Sequence, residues 1–203
     1  MLTPRQLERI PTRLVELMSQ IETEMLVAIA RRISKFRTVT GSIEYGIQKA
    51  QQFNLLYDDL VKIVSKYSGL QMKVISDMFE KAGLKSIEYD EKIYRKAFEA
   101  GLANSFPLTL KDSPLIQRVL QAGIQNAKSI SNLTNTKAMN GALMAFNNAM
   151  DKAYLSVSSG ATDFNTAYRI ALKDLAVSGI RITEYNKKGG GTYSYSVEAA
   201  TRR

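Results

Sequence analysis

Apolar residues recur every three to five positions over long parts of the chain, and this spacing constrains the fold more than any other feature. One such run extends from Leu14 to Phe36, and a second extends from Ile116 to Tyr154. Because an α-helix presents the same face every 3.6 residues, this spacing predicts amphipathic helices. We therefore predict a mainly α-helical fold with one long helix within residues 12–37. A second lies within residues 114–157, either unbroken or broken near Leu133.

The residues between these two runs carry several signals that start or stop a helix. Carboxylates such as Asp58 and Asp59 suit the positive end of a helix, and Gly83 suits the left-handed conformation that ends one. A further segment that starts at Ser86 is predicted to end near Gly101. Together these signals predict a cluster of short helices between the two long ones.

The helical spacing changes in the last part of the chain. Asp163 is typical of a helix N-cap, and Gly179 is typical of the residue that ends the same helix. From Ile180 onward apolar and polar residues alternate, which predicts a small β-hairpin over residues 180–197. Residues 196–203 resemble the start of another helix, which either ends with the chain or continues in a longer natural product.

Proline positions and these changes of pattern suggest a division of the chain. Residues 104–113 form the best candidate linker, because Pro107 lies within them and Pro114 follows them. The predicted regions are an N-terminal helical region (1–103), the linker (104–113), a long-helix region (114–179) and the C-terminal hairpin with the start of a further element (180–203).

The chain has no His, Cys or Trp, and these absences remove several classes of chemistry. They exclude disulfides, thiolate or imidazole metal sites and any catalytic triad with a histidine base. We predict no catalytic residue, no cofactor and no metal site. No apolar run approaches the ~18 residues of a membrane span, and the N-terminus lacks a signal peptide's apolar centre. A cytoplasm-like compartment and no membrane partner are expected.

Basic residues outnumber acidic ones by 28 to 19, which gives a net charge of +9. Such an excess favours contact with nucleic acid or an acidic protein surface, although a basic soluble protein with neither partner has the same composition. Residues 113–150 contain no acidic side chain, so this stretch suits contact with nucleic acid or a protein partner without repulsion between like charges. The candidate DNA contacts are Lys187, Lys188, Arg202, Arg203, Arg118, Lys128 and Lys137.

Two local clusters permit two interpretations each. A short basic cluster lies at the end of the first long run, where cations complement the helix dipole or, alternatively, face phosphate. It consists of Arg31, Arg32, Lys35 and Arg37. Tyr185, Tyr193 and Tyr195 lie in the predicted hairpin, where they satisfy β-propensity or stack on single-stranded nucleic acid.

The apolar stripe of the second long run predicts contact with a partner. An unbroken helix from Ile116 to Tyr154 would span roughly 55–60 Å, whereas a compact domain of this size is about 40–45 Å across. Such a helix would project and leave apolar surface for another subunit. The candidate partner contacts are Ile116, Val119, Leu120, Ile124, Ile130 and Leu133.

Several strings resemble those of one protein family, the phage minor capsid protein 2 group of tailed-phage and prophage head proteins. The N-terminal strings are MLTPRQLERIP (1–11) and IARRI (29–33). Those that follow are KSIEYDEKIYR (85–95), QAGI (121–124), NLTNT (132–136) and AVSGI (176–180). None of them is a catalytic signature, so the resemblance comes from the accumulated pattern over almost the whole chain.

The resemblance implies a minor structural protein of the phage head that is associated with the portal vertex and is not an enzyme. Its expected partners are the portal protein or other head proteins, in a multi-copy ring, and packaged double-stranded DNA bound without sequence preference. The expected location is the interior of the virion head, after assembly in the host cytoplasm. The competing interpretation is a stand-alone, basic, helical nucleic-acid-binding protein.

Overall fold

A computed structural model describes residues 12–36, 41–102, 113–185 and 192–202. Helices dominate these residues, and two antiparallel strands form a hairpin near the C-terminus, which confirms the predicted fold class. The elements are α1 (Thr12–Ile33), α2 (Ser42–Glu99), α3 (Pro114–Ser158), α4 (Phe164–Ser178), β1 (Arg181–Tyr185), β2 (Thr192–Ser196) and α5 (Val197–Arg202).

Both predicted long helices are present. The first, α1, has 22 residues, and α3 has 45 residues without a break near Leu133. Helix α3 begins at Pro114, where proline is tolerated because the first turn needs no backbone N–H donor. The candidate linker lies outside the described residues except for Ser113, and the predicted division into regions remains a prediction.

The predicted cluster of short helices is wrong, because residues Ser42–Glu99 form one continuous helix of 58 residues. The predicted N-terminal carboxylates Asp58 and Asp59 and the predicted stop at Gly83 all lie inside it. A single cap or glycine changes the free energy of a helix by only about 1 kcal/mol. Packing along the helix outweighs signals of that size, and at Gly83 the missing side chain makes room for Leu120 of α3.

The described residues divide into two compact units, and α1, α2 and α3 contribute to both. We call residues 17–68 and 133–202 the core unit, because they contain the main cluster of buried apolar side chains. We call residues 12–16 and 69–132 the paired-helix unit, because α2 and α3 make up most of it.

Among the residues whose burial is described, apolar side chains from α1, α2, α3, α4, β1 and α5 are buried in the core unit. Helix α1 contributes a stripe at helical spacing, and the alternating residues Ile180 and Ile182 of the hairpin region face the same core, as their pattern predicts. The largest fully buried side chains here are Phe146, Met18, Ile21, Met25, Ile29, Ile33, Leu56, Leu60, Met150, Ile180 and Ile182.

The start of the hairpin follows the end of α4 and is held by close contacts with α1 and α3 within the core unit. Gly179 ends α4 with a positive φ of 63°, and Asp163 caps the start of α4 by accepting from the Thr166 N–H, so both predicted ends are confirmed. The carboxylate of Glu22 accepts the backbone N–H of Ile180 at 3.0 Å. A side chain at Gly141 would lie 2.5 Å from the Arg181 carbonyl oxygen, so α3 and the hairpin approach closely there.

The paired-helix unit is held by reciprocal contacts of large side chains with glycines. A Cβ atom added at Gly123 on α3 would lie 3.2 Å from the ring of Phe79 on α2, and one added at Gly83 on α2 would lie 3.2 Å from the side chain of Leu120 on α3. As the residue number rises on α2 it falls on α3, so the two helices are antiparallel. Ile75 and Ile124 are buried in this unit.

Candidate functional site

The predicted DNA contacts fall into described and undescribed residues. Arg118 is exposed and Lys128 is half-buried in the paired-helix unit, whereas the half-buried Lys137 belongs to the core unit. Arg118 and Lys128 are ten residues apart, so they point about 80° away from each other around an ideal helix. The remaining candidates lie outside the described residues (Lys187, Lys188, Arg203) or have an undescribed side chain (Arg202).

The predicted partner contacts on α3 separate into covered and exposed residues. Ile124 is only 2% exposed and Leu120 packs at Gly83, so this side of the stripe is covered by the chain itself. Val119 is 66% exposed and Ile130 is 53% exposed in the same unit. Ile116 is half-buried, and Leu133 is exposed in the core unit. Neighbours in sequence such as Val119 and Leu120 differ because they lie 100° apart around the helix.

The basic residues at the end of α1 form specific contacts that sequence analysis missed. The Arg32 guanidinium donates to Asp59 Oδ2 from Nε at 3.0 Å and from Nη2 at 2.6 Å, and both side chains are largely buried. Asp59 therefore lies inside α2 and pairs with Arg32. This corrects its predicted role at a helix start. An arginine and an aspartate 27 positions apart give no local signal of such a pairing.

Two further carboxylates join α1 and α3 to α2 within the core unit. Glu24 accepts from Lys66 Nζ and from the Tyr67 hydroxyl, each at 2.6 Å. These hydrogen bonds, first that of Lys66, hold the pKa of Glu24 below its ordinary value. Asp151 accepts from Lys49 Nζ at 2.6 Å and from the Tyr45 hydroxyl at 3.3 Å.

Aromatic side chains cluster where α1, α2, α3 and α4 meet in the core unit. The rings of Tyr45 and Tyr154 stack with their centroids 4.1 Å apart. The ring centroids of Phe36 and Tyr168 are 6.0 Å apart. Burial raises the pKa of Tyr168 to about 12 and that of Tyr45 further, so both hydroxyls are neutral near physiological pH. The cluster therefore stabilises the fold and supplies no ionised nucleophile.

Of the three tyrosines in the hairpin, Tyr195 is the one whose side chain the structure describes. Tyr195 is half-buried and packs against the core, which agrees with the β-propensity interpretation at this residue. The side chains of Tyr185 and Tyr193 lie outside the described part of the chain. The guanidinium of Arg181 on β1 donates to the side chain and the carbonyl of Ser194 on β2.

Two grooves in the core unit are large enough for side chains of a partner. A groove of about 370 Å³ between α1 and α2 is lined by charged residues that include Arg31 and Lys62. A second, of about 290 Å³, lies between α3 and α4, where small residues form its floor and Lys152 pairs with Asp174.

The end of α2, which the sequence predicted as one of several short helices, carries an exposed apolar surface. Ile93, Tyr94 and Phe98 are about half exposed, and Leu102 is 82% exposed. The sequence signal was present, because apolar and charged residues alternate there at helical spacing. Only the position of α3 shows which of these side chains the paired-helix unit leaves uncovered.

The described part of the chain has no helix long and apolar enough to cross a membrane. Within the same residues, no three acidic side chains cluster closely enough to hold a metal ion.

A protein-family model described as phage minor capsid protein 2 matches residues 2–203, essentially the whole chain. No curated protein and no solved structure matches the chain significantly.

Proposed function

Because the chain belongs to the phage minor capsid protein 2 family, we propose that it acts at the portal vertex of the phage head. There it assists head assembly or the packaging and ejection of DNA. The family match gives the chain a structural role in the virion, with other head proteins as partners. Beyond this structural role, we propose contact with the portal, a ring of several copies and a position inside the head. The observation that supports the proposal is the match to the family model, because it covers both the core unit and the paired-helix unit.

The exposed apolar residues of α3 support contact with a portal subunit or a neighbouring head protein. Val119 and Ile130 in the paired-helix unit, and Leu133 in the core unit, expose more than half of their side chains. In a protein–protein interface such residues lose contact with water, and this drives association. We propose that these three residues, with the half-buried Ile116, touch the partner, whereas Leu120 packs at Gly83 within the helix pair. Ile124 stabilises the helix pair.

The net charge of +9 supports a second role in contact with packaged DNA. Residues 114–150 of α3 contain no acidic side chain, so Arg118 and Lys128 have no acidic neighbour on this part of the helix. Contacts of this kind are made with phosphate, so binding is weak, independent of sequence and steeply weakened by salt. We place Lys187, Lys188, Arg202, Arg203 and Lys137 in the same contact.

The test of the structural role is mass spectrometry and cryo-electron microscopy of purified heads and procapsids. We expect the chain in both, in a copy number set by the symmetry of the portal ring. Its absence from both particles would remove the structural role and leave the stand-alone nucleic-acid-binding protein, which the net charge favours. DNA binding that is tight, sequence-selective and insensitive to salt would favour the same alternative.

A further inference from the structure

Helix α2 has a second stripe of apolar residues on the part that belongs to the core unit. The side chains that this part buries include Tyr45, Leu56 and Leu60. About a third of a turn away around the helix lies a stripe of five apolar residues and one asparagine, all of them exposed. It consists of Ile43, Ile47, Ala50, Asn54, Tyr57 and Val61. A helix that packs on one side needs only one apolar stripe, so the fold of a single chain does not explain the second.

The spacing along this second stripe is that of a coiled coil. Its residues are separated alternately by four and three positions over about 27 Å of helix. This alternation is the a/d pattern of a heptad repeat, in which Ile47, Asn54 and Val61 occupy the a positions and the other three occupy d. β-branched residues at a positions are typical of parallel two-stranded coiled coils. We call these six residues the exposed seam of α2.

The exposed seam is open to a partner along its whole length. Ile43 is 80% exposed and Ile47 is 56% exposed, and Tyr57 and Val61 are exposed as well. Because the core unit already holds this part of α2 as a helix, association does not include the cost of ordering it. A contact of less than three heptads is therefore long enough to join two such surfaces.

Asn54 indicates which kind of helix covers the seam. A lone asparagine at an a position is unfavourable against an apolar partner, because its amide would be buried without a hydrogen bond. In a parallel pair of identical helices each a position meets the same position of the second copy, so the two Asn54 amides can bond to each other. The residue therefore favours a second copy of this chain, aligned in parallel and in register.

The charges beside the seam favour the same parallel arrangement. Glu44 and Asp58 occupy flanking e positions, and the g positions between Ile43 and Val61 carry no charge. In a parallel pair each e position meets a g position of the copy, so the carboxylates do not meet. The antiparallel alignment that pairs all six residues would bring Glu44 close to Asp58 of the copy, where like charges repel. It would also place Asn54 against an alanine.

The same carboxylates argue against a phosphate-bearing partner on the seam. Lys49 and Asp59 form ion pairs within the chain, and Lys62 lines the groove between α1 and α2. Glu44 and Asp58 are left beside the seam, and their charge repels the phosphates of DNA or of an anionic lipid.

We propose that two copies of this chain associate in parallel through the exposed seams of their α2 helices, with the two Asn54 side chains hydrogen-bonded to each other near the centre. The contact goes beyond the proposed function and does not rest on it. The purified full chain is therefore sufficient to test it.

Because the chain has no cysteine, disulfide formation tests both the contact and its direction. Ile43→Cys and Val61→Cys are made separately, at opposite ends of the seam. In a glutathione redox buffer each variant alone is expected to form disulfide-linked dimers, because a parallel pair brings each new thiol next to its own copy. The matched control Leu55→Cys is also exposed but lies off the seam, and at least about tenfold fewer dimers are expected from it.

Dimers that form only when the two seam variants are mixed would reveal an antiparallel contact and overturn the proposal. The absence of dimers from both seam variants, or equal dimer formation by Leu55→Cys, would overturn it as well. Each of these results leaves the proposed function in place, because the composition of purified heads tests that separately. A chain that dimerises as expected but is absent from the heads would overturn the proposed function alone.

A charge in the seam tests association without a disulfide. Ile47→Asp is expected to raise the Kd of the dimer by at least about tenfold, because the contact would bury an unpaired carboxylate. Leu55→Asp makes the same kind of change at an exposed residue off the seam and is expected to leave the Kd unchanged. Sedimentation equilibrium measures both values, and circular dichroism verifies that both variants remain helical. A Kd unaffected by Ile47→Asp, or an unaltered chain that is monomeric at every concentration, would overturn the proposal.

Discussion

The core unit and the paired-helix unit differ in how many elements surround each apolar side chain. In the core unit helices α1, α2, α3 and α4 and strand β1 enclose residues such as Ile21 and Phe146, which are fully buried. In the paired-helix unit, Phe79 is only half-buried although it packs against Gly123. Two helices cover one side of each other, and the remaining apolar surface stays exposed. The comparison suggests that stability is concentrated in the first unit and contact with other head proteins in the second.

Truncation of one phenylalanine in each unit tests this comparison most strongly. Phe146→Ala is expected to lower the free energy of unfolding by about 3–5 kcal/mol, because it leaves a cavity in a fully enclosed site. Phe79→Ala is expected to cost about half of that, because its ring already contacts water on one side. Chemical denaturation measures both values. Equal losses would mean that the paired-helix unit is as enclosed as the core unit.

A side chain at Gly141 is expected to have the next largest effect. Gly141→Ala places a Cβ atom 2.5 Å from the Arg181 carbonyl oxygen, so the backbone of the hairpin must move. The expected loss in the free energy of unfolding is about 1–3 kcal/mol.

The matched control for this variant is Gly46→Ala in α2, where nothing lies within 4 Å of the added atom. It is expected to stabilise the protein by up to about 1 kcal/mol, because alanine favours the helix. A neutral Gly141→Ala variant would show that the hairpin does not sit tightly on α3.

Removal of the Glu22 carboxylate tests how the core unit holds the hairpin. Glu22→Ala leaves the N–H of Ile180 without its acceptor, and we expect a loss of about 1–3 kcal/mol in the free energy of unfolding. Glu22→Gln retains an oxygen acceptor and is expected to lose less. If both variants unfold at the same denaturant concentration, the hydrogen bond to Ile180 does not contribute to stability.

The smallest expected effect is a pH dependence at Glu24. The hydrogen bonds from Lys66 and Tyr67 lower the pKa of this carboxyl in the folded protein below its ordinary value of 4.5. Its contribution to stability is therefore complete above that value and is lost as the pH falls through the lowered folded pKa. We expect the difference in stability between the unaltered protein and Glu24→Gln to shrink as the pH falls from neutral to below 4.5.

Denaturation of both proteins across this pH range measures the effect, and Glu16→Gln serves as the exposed control on the same helix. A difference that stays constant with pH would show that the ionised form of Glu24 makes no contribution.

The sequence by itself determined the local elements of this protein. Helical spacing predicted α1 and α3, Asp163 and Gly179 predicted both ends of α4, and alternation predicted the hairpin. These predictions succeeded because each depends on residues that are close in the chain, where periodicity and capping act. The proposed cationic contacts also came from the sequence alone, through its charge.

Only the tertiary structure decided where contacts between distant residues outweigh local signals. It joined the predicted short helices into α2, paired Arg32 with Asp59, and separated the covered Leu120 from the exposed Val119. It also left apolar side chains at the end of α2, such as Ile93 and Tyr94, about half exposed. A single local signal changes the free energy of a helix by about 1 kcal/mol, whereas packing along a long helix adds many contacts of similar size. The register of two helices is therefore fixed only when they pack together.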